Sequence, residues 1–227
     1  MMNIICNDTS RRPIGSPHDH VHRILSFLIL LLGMFPVCAD ASPWFLPIQC
    51  IDRQSMECVH LTPIGRYALL RKARPNIPAH FHTGVDIKRP SDDYNAEPVF
   101  PAAAGKVISI RDDGPYAQII IEHADAGTRK VWTVYEHIAG IIVRLNEQVL
   151  PMQPIGRFMT TEELDRYGWQ FDHLHFEIMT VAPRPRVPDA SLPYRYFSTY
   201  GLACLTQEQL SYHYNDPLEF FRMEWSR

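Results

Sequence analysis

Several short runs of the chain alternate apolar and polar residues or are apolar throughout, with turn residues between them. The clearest runs are AQIIIEH at 117–123, VWTVYEH at 131–137 and HLHFEIMT at 173–180. A strand turns successive side chains to opposite faces, so short runs of this kind predict β-strands. PVFPAAAGKVISI at 98–110 predicts a turn followed by a strand, and 85–87 predicts a brief one.

Helical signals are few and short. Thr160 and Glu163 have the spacing of a capping box, which predicts a short helix ending near Gly168. TQEQLSYH at 206–213 predicts a second helix, DPLEFF one further turn, and TPIGRYALLRKA at 62–73 another short helix. Closely spaced strands with little helix between them favour an antiparallel sheet over βαβ units, so the fold class predicted is mainly β in one domain.

The N-terminal segment has the order of a secretory signal peptide. Arginines precede the apolar run ILSFLILLLGMF at 24–35, and the small residues of VCADA follow at 37–41. The apolar run is short for a membrane span, so we expect cleavage and no stable span afterwards. We predict a signal peptide at 1–39, an N-terminal segment (the lead) at 40–75, and one catalytic domain at 76–227 that includes a Pro-rich C-terminal extension.

Composition and charge limit the kinds of partner that this protein can bind, and export limits the compartment in which it lies. The chain has 227 residues, 46% of them hydrophobic, and a formal net charge of −3, so nothing indicates nucleic-acid binding. Export to a periplasmic or extracellular location implies an oxidising environment. Cys50, Cys58 and Cys204 remain after cleavage; Cys50–Cys58 would close a short loop, Cys58–Cys204 would join lead to tail, and we favour the first.

Two motifs carry candidate metal ligands. His173 and His175 are two apart on a predicted strand and therefore share a face. FHTGVDI at 81–87 adds His82 and Asp86, with a glycine between them that lets the backbone bend. A set of His, His and Asp suits zinc and leaves a fourth position open, which is the catalytic rather than the structural arrangement. His80 shares a face with His82 but lacks its spacing to the aspartate, so we interpret it as a groove-wall or surface residue.

The order of FHTGVDI, PAAAGKV, VYEH, HLHFEI and DPLEFF resembles the lysostaphin-type (LytM-like) zinc endopeptidases, which cut peptidoglycan. The resemblance covers about residues 80–180 plus DPLEFF. It implies a mostly antiparallel β fold with one Zn²⁺ in an open groove. It also implies His82, Asp86 and His175 as zinc ligands, with His137 and His173 as catalytic histidines.

We expect His173 to act as general base, because it shares a strand face with His175, and His137 to stabilise the intermediate. Tyr135 and Trp169 are predicted to contact the substrate. Glu177 is interpreted as solvated or structural, or as a hydrogen-bond partner of a ligating imidazole. Arg71 and Arg74 are interpreted as solvated surface residues or, as the less favoured alternative, as partners of a carboxylate on the substrate.

One segment departs from the family pattern. Family members usually reach HLHFE through a Gly- and Ser-rich loop, whereas this chain has an insertion at 159–171 that is helical and aromatic. We expect Tyr167, Trp169 and Phe171 to shape or partly cover the groove. The sequence does not choose between cleavage of D-alanine–diamino acid links and of glycine bridges.

Three functions compete. The first is an exported zinc endopeptidase that hydrolyses peptide cross-links of peptidoglycan, with peptide stems as substrate. The second is a catalytically inactive LytM-like regulator that recruits or activates another cell-wall hydrolase. The third is a zinc peptidase that acts on proteins. The complete set of three ligands and two histidines favours the first.

Overall fold

The computed structural model describes residues 43–95, 97–124 and 130–226. The predicted signal peptide at 1–39 lies outside these residues. The described chain is mainly antiparallel β-sheet, as predicted. Its strands are β1 Leu70–Arg71, β2 His80–Phe81, β3 Val85–Lys88, β4 Pro98–Val99, β5 Gly105–Arg111, β6 Gln118–Ala124, β7 Lys130–Glu136, β8 Gln148–Val149, β9 Gly156–Arg157, β10 His173–Met179, β11 Arg184–Pro185, β12 Phe197–Ser198 and β13 Tyr214–Asn215.

Three short α-helices are described: α1 Thr161–Tyr167, α2 Gln207–His213 and α3 Pro217–Trp225. The predicted caps explain where they begin. Thr160 and Thr206 each form a complete capping box, and the Asp216 side chain accepts from the Leu218 N–H at the start of α3. No helix in the described ranges is long and apolar enough to cross a membrane.

The main sheet is ordered β13–β10–β7–β6–β5–β8, and β3 also pairs with β10. β7 lies along one edge of β10, so β3 and β13 share the other edge, with β3 beside its first half. Every pairing in this sheet is antiparallel. The register sets Asp86 opposite His175, and His175 opposite Glu136. This register places the two predicted metal-binding motifs side by side.

The sheet is buried on both faces near its centre. One face carries Tyr135 and Phe176 in the larger apolar cluster, and the other carries Trp132 and Met179 in a second cluster with α2. Burial on both faces explains why β6 and β7 are apolar runs rather than strict alternations. Trp44, Leu46 and Ile48 of the N-terminal lead are buried in the larger cluster, so the described part of the lead packs into the same core.

The predicted helix at 62–73 is wrong. The segment instead forms turns and then β1, which pairs with β2. Ala68 has a positive φ of 60°, which interrupts a right-handed helix. Backbone hydrogen bonds to the 82–86 segment replace helical ones: the Ala68 N–H donates to the His82 carbonyl, and the Thr62 N–H donates to the Asp86 carbonyl. Tertiary pairing therefore outweighs the local helix propensity.

Candidate metal centre

His82, Asp86 and His175 converge at the edge where β3 meets β10. His82 Nε2 is 2.9 Å from Asp86 Oδ1 and 3.0 Å from His175 Nδ1, and His175 Nδ1 is 2.9 Å from the same Oδ1. Among the described residues, these three are the group of His, Cys, Asp or Glu side chains that could hold a metal ion. The motifs at 81–87 and 173–178 therefore come together through strand pairing.

Gly84 lies at a bend of the backbone, as expected, and has a second role. A Cβ at this position would lie 2.2 Å from the Phe176 carbonyl oxygen, far inside van der Waals contact. The glycine therefore allows the 82–86 segment to approach β10 closely. The bend and this close approach together bring His82 and Asp86 to His175.

The other ring nitrogen of each histidine has its own partner. His82 Nδ1 is 2.8 Å from the Arg66 carbonyl oxygen, so Nδ1 carries the proton and Nε2 presents its lone pair to the centre. His175 Nε2 is 3.1 Å from Glu177 Oε1, so Nε2–H donates to this carboxylate and Nδ1 faces the centre. Such partners hold the ring of a metal-ligating histidine in one orientation.

The centre favours a positive charge. Burial opposes ionisation of Asp86, but hydrogen bonds with His175 and His82 hold the pKa of Asp86 below its usual range. Burial also acts to lower the pKa of His175, yet hydrogen bonds with Asp86 and Glu177 raise it well above its usual value. Burial lowers the pKa of His82. The lone pairs of two imidazoles and one carboxylate thus point to a common position, where a proton can bind to one of them. A divalent cation at that position would bind to all three.

Two further histidines stand beside this centre. His173 Nε2 is 3.6 Å from Asp86 Oδ1, and the His173 and His137 rings lie edge to face with centroids 4.9 Å apart. His137 follows the end of β7 with a positive φ of 65°, and its Nδ1 is 2.6 Å from the Pro115 carbonyl oxygen. Burial lowers the pKa of His137, and it lowers the pKa of His173 to about 3, so both rings are neutral near pH 7.

Glu177 is a buried carboxylate whose polar partners belong to the centre. Its Oε1 accepts from His175 Nε2 and from Thr83 Oγ1, which is 2.5 Å away. Its Oε2 is buried and has no hydrogen-bond partner among the residues that the structure describes. Of the interpretations open from sequence, the structure supports a hydrogen-bond partner of the His175 imidazole, because the side chain points to the ring and away from solvent.

Arg71 was missed as a site residue. It lies on β1, and its guanidinium Nη2 is 2.7 Å from Asp86 Oδ2. The side chains are 18% and 6% exposed, so this ion pair is largely shielded from solvent. No motif signals the contact, because Arg71 reaches the centre through the pairing of β1 with β2.

The expectation that Tyr135 contacts substrate is corrected. Tyr135 is 0% exposed, and its hydroxyl accepts from the Ala102 N–H at 2.8 Å inside the core. In the alternation of β7, this side chain points away from the face that carries His175. Trp169 is 51% exposed, packs edge-on against Tyr94, and remains available to a ligand.

The insertion at 159–171 lies against the two catalytic-type histidines. The Phe171 ring is 5.0 Å from the His137 ring, centroid to centroid, and both lie near Tyr116. Two ion pairs hold this segment and the residue after it: Arg157 of β9 with Glu163, and Arg89, just after β3, with Asp172. Tyr116 and Phe171 pack beside His137, and the exposed Trp169 lies in the same turn as Phe171; these three residues are named the aromatic wall.

These features define a class: a mainly antiparallel β protein with a His–Asp–His cluster beside two neutral histidines. Residues 80–186 match the model of Peptidase family M23. The chain is similar to this family over that range, which is somewhat less than half of its length, and the resemblance to lysostaphin-type enzymes is confirmed. No curated protein matches the chain significantly.

Several solved structures are similar to this chain. A zinc-containing peptidase from Vibrio cholerae is 24% identical, with 60% of this chain and 37% of that chain covered and a TM-score of 0.41. The antimicrobial peptidase lysostaphin from Staphylococcus simulans is 20% identical, with 70% and 50% covered and a TM-score of 0.38. A chain of the SpoIIIAH–SpoIIQ complex is 20% identical, with 59% and 90% covered and a TM-score of 0.38. This chain thus spans half or less of the first two proteins.

Proposed function

We propose that this protein is an exported zinc endopeptidase that hydrolyses peptide cross-links of peptidoglycan in the periplasm or outside the cell. The observation that carries the proposal is the convergence of His82 Nε2, Asp86 Oδ1 and His175 Nδ1 beside two neutral histidines. The match of residues 80–186 to Peptidase family M23 supports the substrate class.

His82, Asp86 and His175 would hold one zinc ion. When bound there, zinc supplies a Lewis acid that polarises a carbonyl group and lowers the pKa of water. Two imidazoles and one carboxylate leave a coordination position open, as catalytic zinc requires. Glu177 keeps the His175 ring oriented and makes it a stronger donor of electron density.

We assign proton acceptance to His137. Its Nδ1–H is committed to the Pro115 carbonyl, so Nε2 is left as an acceptor, and burial keeps the ring neutral. This atom takes the proton of the attacking water and later returns it to the leaving amine. The assignment reverses the role expected from sequence. The contact with Pro115 supports it, because a carbonyl oxygen can only accept a hydrogen bond, here from Nδ1–H.

We assign hydrogen-bond donation to His173. Its Nε2 faces the centre at 3.6 Å from Asp86 Oδ1, and a neutral ring with the proton on Nε2 donates toward the same place. There it stabilises the oxygen on which negative charge develops during attack. Trp169 and Tyr116 on the aromatic wall would contact the flanking parts of the substrate.

Zinc content and product release test the proposal together. The full mature chain is purified, its zinc is measured, and isolated sacculi are digested with product analysis by mass spectrometry. We expect one zinc per chain and released cross-link peptides, with both lost in His82→Ala. His80→Ala is the matched control, because His80 bonds to the Pro78 carbonyl outside the centre. Zinc binding without product release would favour the regulator, and cleavage of denatured protein but not sacculi would favour the protein peptidase.

The two histidine roles are separated by chemical rescue. We expect His137→Ala and His173→Ala to keep zinc and lose turnover by about 100-fold or more. N-methylimidazole accepts a proton but has no N–H to donate, so it should restore part of the turnover of His137→Ala only. If N-methylimidazole instead rescued only His173→Ala, His173 rather than His137 would be the general base.

A further inference from the structure

The two oxygens of Asp86 have different partners. Oδ1 faces His82 Nε2 and His175 Nδ1, both at 2.9 Å, where the cation would lie. Oδ2 faces away and accepts from Arg71 Nη2 at 2.7 Å. The carboxylate is therefore divided between the centre and a fixed positive charge.

Arg71 is held in place by the fold. It lies on β1, opposite His80 on β2, and β2 leads directly into the segment that carries His82. The His82 N–H also donates to the Leu69 carbonyl, which joins the same two segments next to the ligand. A charged donor and acceptor at this distance form one of the stronger hydrogen bonds in proteins. The contact therefore restrains rotation of the Asp86 carboxylate.

We propose that Arg71 is a positioning residue that allows Asp86 to reach zinc through Oδ1 alone. A carboxylate binds a cation through one oxygen or through both. If both oxygens bound, Asp86 would fill the position that catalytic zinc keeps open for water. By occupying Oδ2, Arg71 preserves a four-coordinate centre. The proposal rests on the proposed zinc site and extends it to a residue outside the 80–186 match.

The proposal predicts the sign of a change in affinity. If Arg71 acted only through its charge, its removal would strengthen Zn²⁺ binding, because a guanidinium repels a nearby dication. A positioning role predicts the opposite: Arg71→Met weakens Zn²⁺ binding by about 10- to 100-fold, as loss of partners of metal ligands does. Arg71→Lys keeps one N–H···O contact but not the rigid planar fork, so its Zn²⁺ affinity should lie between those of wild type and Arg71→Met.

The experiment uses the full mature chain in four forms: wild type, Arg71→Met, Arg71→Lys and Lys72→Met. Lys72 is the matched control, since it is an exposed cation one residue away. Zinc affinity is measured by competition with a chromophoric chelator, and the visible spectrum is recorded after loading with Co²⁺. Four-coordinate Co²⁺ absorbs more strongly than five-coordinate Co²⁺. We expect a weaker band and looser zinc binding in Arg71→Met, partial recovery in Arg71→Lys, and wild-type values in Lys72→Met.

Each result has one meaning. Unchanged or tighter zinc binding by Arg71→Met, with the wild-type Co²⁺ band, would overturn the positioning role while leaving the zinc peptidase intact. A wild-type chain that binds neither metal would instead overturn the proposed function, and the role of Arg71 with it. Circular dichroism of each variant checks that it is folded, and Arg71→Lys provides a second test if Arg71→Met is not.

Discussion

Acid should destabilise this protein through one buried histidine far from the metal centre. His123 is 1% exposed, and its ring lies in a chain of hydrogen bonds in the core. The Ala102 N–H donates to the Tyr135 hydroxyl, which is 2.9 Å from Thr133 Oγ1, and this oxygen is 2.7 Å from His123 Nε2. His123 Nδ1 lies 2.9 Å from the Ala104 carbonyl oxygen and donates to it.

Protonation of His123 would place a positive charge on a ring that is buried in the core. Burial accordingly lowers the pKa of His123 from 6.5 to about 4. Between these values the unfolded state binds a proton that the folded state does not, so stability is full above pH 6.5 and falls as the pH drops toward 4. A difference of about 2.5 units corresponds to about 3 kcal/mol.

Urea unfolding of wild type and His123→Gln at several pH values between 7 and 4 measures this effect. Glutamine has an amide group that can contact the Ala104 carbonyl and Thr133 Oγ1, and it does not titrate. The variant should be less stable at pH 7, because the ring also packs against Trp44. The gap between the two proteins should then narrow by about 3 kcal/mol at pH 4. Equal dependence on pH in both proteins would refute the reasoning, since other histidines are common to both.

Three other changes probe the core, the centre and the lead. Tyr135→Phe leaves a buried backbone N–H without its acceptor, so unfolding should cost about 1–3 kcal/mol less with KM unchanged; a raised KM at unchanged stability would restore a substrate contact. Glu177→Gln should weaken zinc binding by about 10- to 100-fold in chelator competition, because His175 loses its carboxylate partner, and unchanged affinity would contradict this role. Cys50 and Cys58 both contact the Asp52 carbonyl oxygen, so air oxidation should join them and stabilise the fold by about 2.5 kcal/mol relative to the reduced form. Peptide mapping that shows a bridge to the third cysteine would contradict that pairing.

The strands at 118–124, 130–136 and 173–179 could be predicted because their periodicity is local and strong. The helix after Thr160 could be predicted because a capping box is a contact within four residues. The ligand-type residues His82, Asp86 and His175 stood out because two short motifs carry them. The helix predicted at 62–73 was wrong, because the backbone hydrogen bonds of this segment go to residues about twenty positions away, which local periodicity does not indicate.

Sequence alone determined the fold class, most of the elements and the residues from which a metal centre would be made, because each depends on side-chain type and short spacing. Tertiary structure decided which atoms those residues present. It set the Nδ1 of His137 on the Pro115 carbonyl, turned Tyr135 into the core and brought Arg71 onto Asp86. These contacts join segments that strand pairing brings together, and neither composition nor spacing records them.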